Sequence, residues 1–139
     1  MRYSRQEVLD LIGKEGQKKL RESSVSIVGI GAIGSVAAEL LTRAGIGNLR
    51  LIDRDIVELH NLQRQSLFTE DDVDKPKAIQ AKKHLEEINS DVTIESHAED
   101  LNQETISEIM KGTSLMLDGT DNLATRFLVN DFSRKHNIP

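Results

Sequence analysis

The sequence predicts an α/β protein: a Rossmann-like parallel sheet with flanking helices, truncated before the sheet's remaining strands. Three observations predict it. Short β-branched runs alternate with helical segments along the chain, which implies a parallel sheet with right-handed crossovers. Val28-Gly29-Ile30-Gly31-Ala32-Ile33-Gly34 places G-x-G-x-x-G between a strand and a helix. Asp53 then follows Gly34 by 19 residues, at the end of the next strand, the spacing of a dinucleotide-binding βαβ unit.

The elements follow in order. Ser4 to Leu20 carries Val8, Leu9, Ile12 and Leu20 near helical spacing, and residues 1–22 read as an N-terminal helical arm. Val25 to Val28 is a β-branched run ending in glycine, the pattern of a buried strand. Ile33 to Ala44 is helical and is stopped by Gly45 and Gly47. Leu49 to Asp53 is the second strand, and residues 54–74 form a long polar connection. Pro76 suits the first turn of a helix reaching about Ile88. Val92 to Ser96 gives a third strand, Gln103 to Met110 a short helix and Ser114 to Leu117 a fourth strand. The turn Asp118-Gly119-Thr120-Asp121 and a helix over Leu123 to His136 complete the chain. A further strand would ordinarily follow, so residues 1–139 read as a nucleotide-binding domain fragment, cut where a fifth strand would begin.

Composition excludes several classes. The chain has 139 residues with 29% charged and 37% hydrophobic side chains, a globular rather than a disordered balance. No run approaches the ~18 apolar residues of a membrane helix, and Arg2 and Arg5 lead into an amphipathic segment rather than a signal peptide. The expected location is the cytoplasm, with no membrane partner. The absence of cysteine excludes a disulfide framework and a thiol nucleophile within this chain. The four histidines, His60, His84, His97 and His136, show no metal-ligand spacing. The acidic run Glu70, Asp71, Asp72 and Asp74 reads as a solvated loop, and a net charge of −5 argues against a nucleic-acid-binding face.

The chemistry is concentrated at strand ends. Gly29 permits a tight turn, Gly31 lets phosphate approach the backbone, and Gly34 lets the helix pack on the strand. The helix N-terminus offers N–H groups and a positive dipole end, and Asp53 can accept hydrogen bonds from ribose hydroxyls. NAD, FAD and adenosine phosphates share this motif. The remaining segments choose among them: Asp53-Arg54-Asp55, Asn61-Leu62-Gln63-Arg64-Gln65, Asp74-Lys75-Pro76-Lys77-Ala78 and Leu117-Asp118-Gly119-Thr120-Asp121-Asn122. In an open α/β sheet, ligands bind beyond the carboxyl ends of the strands. Arg64, Lys77 and Asp121 can therefore converge near the glycine loop. A cationic clamp with a carboxylate suits a triphosphate with Mg²⁺, which takes one or two carboxylates plus phosphate oxygens and water. Arg64 can bind phosphate bidentately while Lys77 acts as a point charge. Each has a plain alternative: a loop Arg or Lys is usually solvated, and Asp121 could merely cap the following helix.

Taken with the opening Arg2-Tyr3-Ser4-Arg5-Gln6 and with Ala44-Gly45-Ile46-Gly47, these segments resemble the MoeB/ThiF/HesA family. That family is related to the adenylation domain of ubiquitin-activating enzymes. The matching pieces occur in the family's order across essentially the whole chain. The resemblance implies that Asp53 holds the ribose, that Arg64 and Lys77 bind phosphates, and that Asn61 contacts nucleotide or phosphate. Asp121 would position Mg²⁺. Gly29, Gly31, Ala32, Gly34, Asp55 and Asn122 join the cofactor-binding set, and Arg5 would reach the partner subunit's site in a homodimer. The cofactors implied are ATP and Mg²⁺. The implied reaction is adenylation of the C-terminal Gly-Gly carboxylate of a ubiquitin-like or sulfur-carrier protein, with release of pyrophosphate. Zn²⁺ would belong only to a C-terminal part of the family fold that is missing here, often carrying paired C-x-x-C. Ala32 and His60 stand where relatives often carry glycine and serine. Two rival readings remain. An NAD-dependent oxidoreductase shares the glycine loop and Asp53 but does not require Arg64, Lys77 and Asp121 together. A non-catalytic partner subunit usually loses part of that charged set.

Overall fold

The computed structural model describes residues 1–139. Four strands, β1 (Ser24–Val28), β2 (Asn48–Ile52), β3 (Thr93–His97) and β4 (Leu115–Asp118), form one sheet in the order β3-β2-β1-β4, every pair parallel. Alternation along the strands divides the core. Val25, Ile27, Leu49, Leu51 and Ile94 face one side. There they meet Ala38 and Leu41 of α3 (Ala32–Ala44) and Ala81, Leu85 and Ile88 of α4 (Lys77–Ile88). Val28, Ile52 and Met116 face the other side, against Ile106 and Ile109 of α5 (Ile106–Ile109) and Val129 and Phe132 of α6 (Leu123–His136). The face toward α3 and α4 is thus largely apolar, whereas the face toward α5 and α6 is mixed, apolar at Val28, Ile52 and Met116 and polar at Ser26, Arg50 and Glu95. No helix is long and apolar enough to cross a membrane.

The ends of the central strands are level. Val28 is in register with Ile52 on one side and with Asp118 on the other. The residues that leave these ends are held by backbone bonds, Gly29 N–H to Ile52 O at 2.8 Å and Gly119 N–H to Val28 O at 2.8 Å. The two turns interlock so closely that neither tolerates a side chain. Gly29 has φ +87°, and a Cβ there would stand 2.9 Å from the Gly119 carbonyl carbon. A Cβ on Gly34 would lie 1.8 Å from Gly29 O, and one on Gly119 would lie 2.7 Å from the same oxygen.

The arm differs from the sequence expectation. It is two helices, α1 (Ser4–Glu7) and α2 (Gly13–Glu22), broken at Gly13 with φ +57°. Val8 and Leu9, which gave the helical spacing, are exposed and meet no core. Leu20 packs against the core, and the remaining anchors are polar. Gln6 Nε2 and Gln17 Nε2 both donate to Ala44 O, at 3.1 and 2.9 Å. Asn89 Nδ2 donates to Tyr3 Oη and to Thr42 O, each at 2.8 Å. Gly45, in the left-handed region at φ +83°, caps α3 and leaves room for the Tyr3 ring.

Residues 54–74 are packed rather than merely polar. Val57, Leu67 and Phe68 enter the core beside α3 and α4, and 3₁₀ turns form at Leu59–Asn61 and Glu70–Asp72. Asp72 corrects the reading of the acidic run, because it is 2% exposed. Its Oδ2 accepts from Thr69 N at 2.8 Å, from Thr69 Oγ1 at 3.1 Å and from His84 Nε2 at 2.7 Å. This ties the connection to α4. Burial alone would raise the Asp72 carboxyl. The Thr69 N–H and the His84 imidazole outweigh it and hold the group below the ordinary aspartate range. α5 is shorter than expected because Asn102 Oδ1 accepts from Glu104 N and Thr105 N, turning the chain before the helix begins.

Two outcomes follow from this packing. Gly34→Ala forces the glycine loop away from α3 and should lower stability by about 1–3 kcal/mol, read from the urea midpoint. Asp72→Asn should cost about 1–3 kcal/mol at neutral pH. The Asp72 pKa is depressed on folding, so its contribution is complete above the unfolded value near ~3.9. It is lost as pH falls through the folded value. Melting temperatures of the wild type and this variant should therefore differ at pH 7 and converge in strong acid.

Candidate functional site

A cavity of about 500 Å³ opens beyond the carboxyl ends of β1, β2 and β4, where the strand order reverses around β1. Its floor is the glycine loop. Gly29, Gly31 and Ala32 line it, whereas Gly34 lies beneath, packed under Gly29, and supports the loop without facing the cavity.

Asp53 stands at the end of β2 and is tied into this loop. Its Oδ2 accepts from Ile30 N at 2.7 Å and its Oδ1 from Asp55 N at 2.8 Å. The Ile30 N–H is therefore engaged by the chain itself, leaving N–H groups farther along the start of α3 to meet an anion. Burial raises the Asp53 carboxyl above the ordinary range. The Asp55 and Ile30 N–H groups and the nearby Lys77 ammonium oppose that shift.

Three other segments complete the wall. The 3₁₀ turn after Glu58 is closed by a reciprocal cap, in which Asn61 Oδ1 accepts from Glu58 N at 3.0 Å. That turn leads into Arg64, whose Nη1 donates to His60 O at 3.1 Å. The first residue of α4 is Lys77, whose side chain is only 7% exposed and whose Nζ lies 3.8 Å from Asp55 Oδ2. The turn after β4 carries Asp121 and Asn122. Thr120 N and Oγ1 donate to Asp118 Oδ1, at 2.9 and 2.7 Å. Asn122, not Asp121, caps α6 by accepting from Thr125 N at 3.2 Å, so the capping alternative does not occupy the Asp121 carboxylate. Asp53, Asp55, Asn61, Arg64, Lys77, Asp121 and Asn122 thus all line one cavity.

Arg5 does not. The arm docks at the C-terminal end of α3, and α3 has 13 residues, which separates it from the glycine loop by about 20 Å at 1.5 Å per residue. No group of three His, Cys, Asp or Glu side chains is placed to hold a metal ion. A lone carboxylate such as Asp121 fits an ion that brings its own phosphate oxygens and does not fit a cage built by the protein alone.

Three lining residues had no role from the sequence: Arg54 and Gln65, which stand in the segments singled out above, and Arg126, which does not. Arg126 Nε and Nη2 both donate to Thr120 O, at 2.9 and 2.5 Å, shaping the turn that carries Asp121. Arg54 bridges to Asp100 at 2.8 Å across the cavity rim. Gln65 is 4% exposed and lines the cavity. Arg126 sits five residues after Asp121, one helical turn beyond the cap, and that spacing was the available signal.

The chain matches the ThiF family over residues 3–139. It is 49% identical to the sulfur carrier protein ThiS adenylyltransferase of Bacillus subtilis, over 99% of this chain and 42% of that one. Its fold superposes on Escherichia coli MccB with ATP, at a TM-score of 0.81 and 34% identity, over 88% of this chain and 37% of that chain. It also superposes on the E. coli tRNA N6-threonylcarbamoyladenosine dehydratase TcdA with AMP, at a TM-score of 0.88 and 29% identity, over 93% of this chain and 53% of that one. The chain thus spans about half the length, or less, of these relatives. A family match over nearly every residue, on a sheet whose glycine turns interlock at one cavity, leaves a single assignment: the chain belongs to the ThiF family.

Proposed function

We propose that this chain supplies the nucleotide site of an enzyme that uses Mg-ATP to adenylate the C-terminal carboxylate of a ubiquitin-like or sulfur-carrier protein. One observation carries the reading. Arg64, Lys77 and Asp121 come from three separate segments, yet they surround the cavity that also holds Asp53 and the glycine loop. A generic dinucleotide site needs only the last two. The names of relatives support the chemistry: one is an adenylyltransferase for the sulfur carrier ThiS, and MccB was solved with ATP.

In this reading, Asp53 receives the ribose hydroxyls and the start of α3 faces the phosphates. The substrate carboxylate arrives ionised, so no general base is needed. It attacks the α-phosphorus, a new acyl–phosphate bond forms, and the bond to pyrophosphate breaks. The chain's work is positioning and charge stabilisation. Lys77, buried and close to Asp55, offers a fixed ammonium. Arg64 has no carboxylate partner and is free to engage the leaving pyrophosphate. Asp121 would hold the Mg²⁺ that accompanies the nucleotide, and the ion would screen the phosphate charge. Arg5, remote from the cavity of its own chain, acts on the partner's site in a homodimer.

Asp121→Ala in the intact protein should reduce carrier-dependent ATP–pyrophosphate exchange by about 10²–10³-fold, by comparison with other charge-stabilising groups, with little change in melting temperature because the side chain is exposed. Exchange near the wild-type rate would remove Asp121 from the metal role.

A further inference from the structure

We infer that Gln65 is an additional phosphate-binding residue of this cavity, donating its side-chain amide to the triphosphate above Gly31. The inference rests on the ATP reading and assigns a role to a residue that reading does not use.

The backbone of Gln65 is fixed. Its N–H donates to Asn61 O at 3.0 Å and its carbonyl accepts from Phe68 N at 3.1 Å. The side chain is not. Gln65 is 4% exposed, and its Oε1 is sealed from solvent with no hydrogen-bond partner. The other end of the amide faces Gly31: Nε2 is the one atom within 4 Å of a Cβ built there, at 3.7 Å. In this orientation Oε1 is walled in without a partner, and the donor Nε2 meets the bare Cα of the phosphate loop.

A buried polar group left unpaired is costly. A leucine or methionine would fill the same space without that cost. The inward Oε1 is an acceptor that a phosphate does not pair, but the donor Nε2 on the cavity side has no acceptor on the protein, and a phosphate oxygen would supply one. The missing Cβ of Gly31 leaves room beside Nε2, and Arg64, one residue earlier on the same turn, lines the same cavity. The turn would then deliver two donors to one anion, a guanidinium and a neutral amide. With no local partner locking its rotamer, the amide can turn toward a phosphate without breaking a protein hydrogen bond.

The test compares Gln65→Met and Gln65→Glu with the wild type in the intact protein, using titration calorimetry with Mg-ATP, magnesium tripolyphosphate and adenosine, and thermal melts without ligand. Gln65→Met should weaken Mg-ATP and tripolyphosphate by about tenfold or more, the value of a hydrogen bond to a charged acceptor. It should leave adenosine unchanged and the free protein's melting temperature equal or higher. Gln65→Glu should weaken both phosphate ligands further through charge repulsion. Mg-ATP affinity within about twofold of wild type in Gln65→Met would overturn the inference while leaving the ATP reading intact. A lowered melting temperature in Gln65→Met would overturn it in favour of a structural role. A wild type that binds none of the three ligands would bring down the ATP reading and this inference together.

Discussion

Everything in the cavity depends on one backbone contact, the mutual approach of Gly29, Gly34 and Gly119. Each sits where a Cβ would collide with a main-chain atom of another member of the trio. Because the contact is backbone on backbone, it is rigid and its geometry does not depend on rotamers. It brings the loop after β1 and the turn after β4 together at the same height above the sheet. The register of β1 with β2 adds the end of β2 at that level. Three loops that are far apart in sequence thereby share one floor.

Charge is arranged around that floor in a graded way. Asp53 is bound into the glycine loop through Ile30 N–H and has a raised pKa from burial, so it is a fixed acceptor at the cavity's end. Lys77 is almost fully enclosed, with Asp55 Oδ2 3.8 Å from its Nζ and the Asp53 carboxylate also within its field. Arg64 is exposed and unpaired with any carboxylate. A buried ammonium whose nearest carboxylate stands 3.8 Å away is poised to gain from an arriving anion. The polyanionic tail of a nucleotide supplies that anion, and the neutral amide of Gln65 extends the same wall without adding charge.

Much of this was legible in the sequence. The strands and long helices follow from hydrophobic period and glycine punctuation, and α6 was expected over its observed span. The gathering of Arg64, Lys77 and Asp121 followed from one topological rule: residues just past the ends of parallel strands share a face. What was not legible depended on partners distant in sequence. Of the residues that gave the arm its helical period, Leu20 packs on the core but Val8 and Leu9 do not, and Gln6, Gln17 and Tyr3 hold the arm against the end of α3 through contacts no periodicity encodes. Asp72 looked like one acid among four, and only its pairing with Thr69 and His84 makes it a buried latch. Gln65 was visible in the segment Asn61-Leu62-Gln63-Arg64-Gln65, but its lack of a protein partner is a property of packing alone. The distance of Arg5 from its own cavity likewise appears only once the arm is seen at the far end of α3.

The central claim is that the interlocked loops form one nucleotide-triphosphate site. Backbone amide NMR of the protein titrated with Mg-ATP tests it most directly. The account predicts that signals from Gly31 to Ile33, from Asp53 to Asp55, and from Gly119 to Asn122 shift together and saturate with one dissociation constant, while the arm residues at Tyr3 and Gln6 stay still. Shifts confined to the glycine loop, or separate saturation of the turn after β4, would show that the loops do not serve one ligand and would contradict it.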